Sequence, residues 1–171
     1  MNRQNMVNTL AVAALGLLML SGNAVSQRNT IKERLVGTWL LDSSYVVRGD
    51  GNKTDLLGSR PSGMLIYTSD GHFALVNTRS DLPKIASNNR NQATPEENKA
   101  IVQGSIAYFG TYSVDEPKKV ITVRINGGTY PNMIGTDEQR IVSSLTADEL
   151  KFANPASSTG TTIELIWKRA K

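Results

Sequence analysis

From Leu35 onward, the apolar residues of this chain recur mainly at every second position. That period belongs to strands, whose successive side chains point to opposite faces. Val120-Ile121-Thr122-Val123-Arg124-Ile125-Asn126 is the clearest case, with Ile121, Val123 and Ile125 on one face and Thr122, Arg124 and Asn126 on the other. Thr161 to Lys168 repeats the pattern and predicts Ile163, Leu165 and Trp167 inward. A strand covered on one face only needs this alternation.

Six further segments read as strands: Trp39–Val47, Met64–Thr68, Phe73–Asn77, Phe109–Val114, Glu138–Leu145 and Leu150–Phe152. Asp70-Gly71 lies between two apolar runs and predicts a hairpin, because a tight turn needs the positive φ that glycine tolerates. Asp115-Glu116-Pro117 ends one strand, and Thr146-Ala147-Asp148-Glu149 joins another pair. No period of 20–50 residues recurs, which argues against solenoids and propellers. Eight short strands with regularly spaced turns predict an all-β antiparallel barrel or sandwich.

One stretch breaks the period. Ser80 to Ser105 is polar, then carries Thr94-Pro95-Glu96-Glu97. Thr94 as N-cap, Pro95 at the first helical position and Glu97 three residues after the cap predict a helix over Pro95 to Ser105, between the third and fourth strands. An insertion at this place serves either as a lid or binding loop, or as a plug over an open end.

The N-terminus changes the domain picture. Arg3, an apolar stretch from Leu10 to Leu20, and Ala24-Val25-Ser26 have the form of a cleavable signal peptide over residues 1–26, cut near Ser26/Gln27. The apolar stretch is shorter than the roughly 18–20 residues a membrane span requires. The expected product is exported, periplasmic or secreted, with a lead-in over 27–34 and one domain over 35–169. The 171 residues include no cysteine, which excludes thiolate metal sites and a cysteine nucleophile. The formal charge of +4 comes from scattered residues rather than a basic stripe, so no nucleic-acid partner is expected. With one histidine, no metal site and no cofactor are expected.

The motifs resemble a known family. Gly37-Thr38-Trp39 matches the Gly-x-Trp of lipocalins and other calycins. Pro61 to Tyr67, Asp70-Gly71-His72-Phe73, Tyr108 to Asp115, Tyr130 to Thr136, Arg140 and Leu165 to Arg169 resemble the bacterial and fungal lipocalin-like domain family. The resemblance implies an eight-stranded up-and-down barrel around a cavity. It also implies that Trp39 closes one end under a basic residue, Arg169 or Lys168. A histidine that relatives often carry before the Tyr-Pro stretch is replaced here by Val123-Arg124.

His72 is the one candidate for acid–base catalysis, although Ser69, Asp70 and His72 stand too close along one strand to converge. The aromatics Tyr45, Tyr67, Phe73, Tyr108, Phe109, Tyr112 and Tyr130 fall on or beside strands and could line a pocket or fill a core. Tyr67, Phe73, Val76, Phe109, Tyr112, Val123 and Tyr130 are the candidates for the ligand wall and rim. Arg124 is expected outward, and Arg140 reads equally well as a surface charge. The leading expectation is a monomer binding a small hydrophobic or amphipathic ligand, without stable membrane insertion. The alternatives are a cyclase, isomerase or hydrolase using His72, a tyrosine or Arg124, and a filled-barrel interaction module using the loop Ser80 to Asn98.

Overall fold

The computed structural model describes residues 30–171, so the expected signal peptide lies outside the described residues. A short helix, α1 (Ile31–Leu35), leads into nine strands: β1 (Gly37–Val47), β2 (Lys53–Asp55), β3 (Ser62–Tyr67), β4 (His72–Thr78), β5 (Ser105–Asp115), β6 (Val120–Gly128), β7 (Asp137–Leu145), β8 (Glu149–Asn154) and β9 (Thr162–Arg169). A second helix, α2 (Pro95–Gly104), stands between β4 and β5.

Strands β3 to β9 pair in sequence order, antiparallel throughout. β1 closes the ring by pairing with β3 through Gly37–Leu40 and with β9 through Trp39–Val47. The result is an eight-stranded barrel. The extra strand, β2, pairs with Tyr45–Val47 of β1 beyond the stretch that β3 uses. Lys-Thr-Asp is polar and fully exposed, so it carries no periodic signal. Closure removes the unpaired edges that an open sheet would present.

The expected inward faces are present. Ile121, Val123 and Ile125 on β6 are buried, as are Ile163, Leu165 and Trp167 on β9. Each such fully buried aliphatic side chain contributes about 1.5–3 kcal/mol. The hairpin at Asp70-Gly71 forms with Gly71 at φ 91°. The helix signal at Thr94 is also realised: Thr94 Oγ1 accepts from Glu97 N at 3.2 Å, and Glu97 Oε2 accepts from Thr94 N at 2.8 Å.

One end of the barrel is shut. The Trp39 indole is fully buried there and donates to the Leu35 carbonyl at 2.8 Å. Arg169 lies over its ring, 4.0 Å from the centroid, and donates to the carbonyls of Val36, Arg34 and Ala147. The Glu116 carboxylate accepts from the first amides of α1, where a helix has unsatisfied donors. Of the two basic residues expected at this closure, Arg169 performs it. Lys168, one residue earlier, points to the outside and pairs with Glu149 at 2.7 Å.

Candidate functional site

The barrel is packed in one half and hollow in the other. In the half next to Trp39, aromatic rings fill the interior: Tyr67 meets Tyr112 edge-on at 4.7 Å, and Phe73 meets Tyr108 edge-on at 5.9 Å. Beyond them lies a cavity of about 550 Å³. Its walls are mostly apolar, from Leu75, Ile106, Phe152, Ile163 and Leu165 among others. Leu57, Tyr130, Met133 and the Ile101–Gln103 end of α2 stand around its mouth. The volume falls in the range of sites that enclose a small molecule.

The insertion therefore reaches the cavity. Residues 79–104 fold back on themselves: Arg79 clasps Asp81 through two hydrogen bonds, and Glu97 also accepts from Ala86 N at 2.9 Å. Those backbone donors hold the Glu97 carboxyl below its ordinary range, Ala86 first and Thr94 second. The last turn of α2 is thereby delivered to the cavity mouth.

Polar groups occupy a few positions of the lining. Arg140 on β7 lines the cavity with its side chain only 3% exposed. Its Nη2 donates to Tyr108 Oη at 3.1 Å and its Nη1 to the Gln139 carbonyl at 2.9 Å. Glu138 Oε2 stands 3.6 Å from Nη1 and accepts no hydrogen bond. Asn77 and Asn154 are buried and also line the space. Burial raises the Tyr67 hydroxyl pKa well above its ordinary range, with the Arg140 cation acting in the opposite direction.

The predicted wall divides into three groups. Tyr67, Phe73, Tyr112 and Val123 point inward, but they pack the closed half and do not border the cavity. Val76 and Phe109 face the outside, 45% and 56% exposed, because Leu75 and Tyr108 take the inward positions of β4 and β5. Tyr130 does stand at the mouth. Arg140, which the sequence left open as equally a surface charge, faces the interior, and the lining residues that sequence reasoning passed over include Asn77, Asn154 and Phe152.

His72 lies at the closed end, on the opposite side of the barrel from the mouth. Its Nδ1 is 3.2 Å from Asp70 Oδ1, and both side chains are well exposed. The Thr68 hydroxyl lies against Asp70 Oδ1 and the His72 carbonyl, not the imidazole, and its bond to Asp70 is the first cause of the lowered Asp70 pKa, with His72 second. No hydroxyl is activated by such a set. Arg124 points outward and pairs with Asp137 at 3.3 Å. Among the described residues, no cluster of three His, Cys, Asp or Glu could hold a metal ion. No helix among them is long and apolar enough to cross a membrane.

Several solved structures are similar in fold. A redesigned β-barrel shares 15% identity at a TM-score of 0.42, over 82% of this chain and 95% of its own. A protein from Bacteroides uniformis, solved by NMR, shares 15% at a TM-score of 0.44, over 83% and 94%. A second redesigned barrel, bound to DFHBI, shares 15% at 0.41, over 81% and 97%. A search of curated proteins finds no match. The family model of the lipocalin-like domain matches residues 36–170, which take in the whole barrel and both signatures of its closure, and the chain belongs to that family.

Proposed function

We propose that this lipocalin-like protein binds a small hydrophobic or amphipathic molecule in the hollow half of its barrel. The observation that carries this reading is the cavity of about 550 Å³. Aliphatic and aromatic side chains form most of its wall, and polar groups are confined to a few positions. That is the composition expected of a ligand site, in which apolar area supplies affinity and a few polar groups fix orientation. A barrel of this size either fills its interior or encloses one ligand. Here the aromatic rings fill only the closed half.

The segment Leu10–Leu20 followed by Ala24-Val25-Ser26 supports an exported protein whose mature chain begins near Gln27. Native mass spectrometry of protein purified from its own host tests both statements. The expected result is a mature chain beginning near Gln27, carrying one co-purifying small molecule that is lost on denaturation. A bare chain in repeated preparations that also fails to bind added amphiphiles overturns the binding reading. Retention of residues 1–26 overturns the export reading.

A further inference from the structure

Asn77 lines the cavity and is only 4% exposed, yet its Oδ1 accepts no hydrogen bond among the described residues. Buried polar groups ordinarily meet partners, because one left bare keeps the full cost of leaving water. The local structure makes room for this amide. Asn77 is an inward residue of β4, two places beyond Leu75, and Gly63 stands opposite it on β3. A Cβ at Gly63 would collide with Asn77 Oδ1, so the absent side chain leaves the amide its space.

The other buried polar groups of the lining are supplied. Asn154 Oδ1 accepts from Ala156 N at 3.2 Å. Arg140 donates to Tyr108 and to the Gln139 carbonyl, with Glu138 3.6 Å away. Glu138 Oε2 is a second buried acceptor without a bond, but Glu138 does not border the cavity, and the Arg140 cation beside it offsets its charge. What Asn77 lacks is therefore a donor. That donor is uncharged, since an amide oxygen does not compensate a cation taken out of water. A half-turn of the amide about its last bond exchanges oxygen and nitrogen within nearly the same shape, which brings the oxygen to the open space.

We infer that the ligand carries a hydroxyl that donates to Asn77, with its apolar body running inward. This rests on the binding reading above and names the ligand class for that same cavity. β4 runs from His72 at the closed end to Thr78, so Asn77 lies nearer the mouth than Leu75 does. The hydroxyl therefore sits in the outer part of the cavity, and the body lies along Leu75, Phe152 and Leu165. A molecule of the same size without a donor leaves the amide oxygen bare. A polar group set in an apolar pocket selects in this way, and Asn77 is the residue that determines the specificity.

Calorimetric titration of the ligand-free mature chain with 1-octanol and with its isomer 1-methoxyheptane tests this, because the two have the same atoms and only the alcohol has a donor. 1-Octanol is expected to bind at least about tenfold tighter, a difference of about 1.4 kcal/mol. In Asn77→Leu, which keeps the size and removes the amide, the ratio should collapse toward unity through weaker binding of the alcohol. A structural role for Asn77 would weaken both isomers alike. Equal or tighter binding of the ether, or a preference that survives Asn77→Leu, overturns the hydroxyl site while leaving the binding reading in place. Binding of neither overturns both. If Asn77→Leu fails to fold, the wild-type ratio and Asn77→Ala decide the question.

Discussion

The Arg169 guanidinium lies 4.0 Å from the centre of the Trp39 ring and holds three backbone carbonyls around it. One side chain thus ties the last strand to the first, to α1 and to the β7–β8 turn. A cation over an indole contributes about 0.5–2 kcal/mol, and hydrogen bonds from a charged donor about 1.5–3 each, without full additivity. Arg169→Ala should destabilise the protein by about 2–4 kcal/mol in urea unfolding. Lys168→Ala, which removes only an exposed pair with Glu149, should cost less than about 1 kcal/mol.

A glycine contrast tests the barrel geometry. Gly110 stands at a bulge of β5, where an added Cβ would collide with the carbonyl of Arg124 on β6. Backbone cannot yield as a side-chain tip can, so Gly110→Ala should cost about 3 kcal/mol or more, or prevent folding. Gly49 has open space around its Cβ position. Gly49→Ala should stay within about 0.5 kcal/mol. Thermal melts of both variants check the pair.

Those two glycines also mark what the sequence could convey. Local signals were legible: the Asp70-Gly71 turn, the Thr94–Glu97 cap and the strict alternation of β6 and β9 each depend on neighbours within a few residues. Parity was legible too, but it was obscured in β4. Phe73-Ala74-Leu75-Val76 is apolar at every position, so both faces look like core. Phe73 and Val76 have opposite parity and cannot both face inward on a regular strand. With Phe73 inward, Leu75 and Asn77 follow, and Asn77 is indeed buried. The same rule pairs Tyr112 with Tyr108 and turns Phe109 out. Arg140 stayed undecided for a different reason: a charged residue is ordinarily a surface residue, and only closure of the barrel encloses it. The division into a filled and a hollow half depends on which long-range neighbours meet, and no strand carries that by itself.

The Glu138–Arg140 pair gives a prediction about purpose. Removing one member of a buried pair leaves the other charge uncompensated, whereas replacing both with apolar groups is often neutral or stabilising. Arg140→Met should cost about 3 kcal/mol in chemical denaturation, and the double change Glu138→Met with Arg140→Met should recover most of that. Recovery means the pair is not retained for stability. A double variant as unstable as the single one would assign Arg140 to the framework.

Acid should loosen the insertion at the mouth. Glu97 is held below its ordinary range by the amides of Ala86 and Thr94. A depressed carboxyl contributes stability above its unfolded value, about 4.3, and loses it as pH falls through the lower folded value. Hydrogen exchange of residues 85–104 should therefore be flat from pH 7 to about 5 after correction for intrinsic rates, then show falling protection below about 4.3. Glu97→Gln should remove that acid step.

The central claim is that the hollow half of the barrel is a ligand site. Titration with 1-anilinonaphthalene-8-sulfonate tests it most directly, since this probe combines an apolar body with an anionic group and brightens when taken out of water. The native chain should bind it saturably at one site, and 1-octanol should displace it. Ile106→Trp, which places a large ring at the lining of the cavity, should weaken binding at least about tenfold while the fold persists by circular dichroism. Absence of saturable binding, or binding that Ile106→Trp leaves undiminished, would contradict the account.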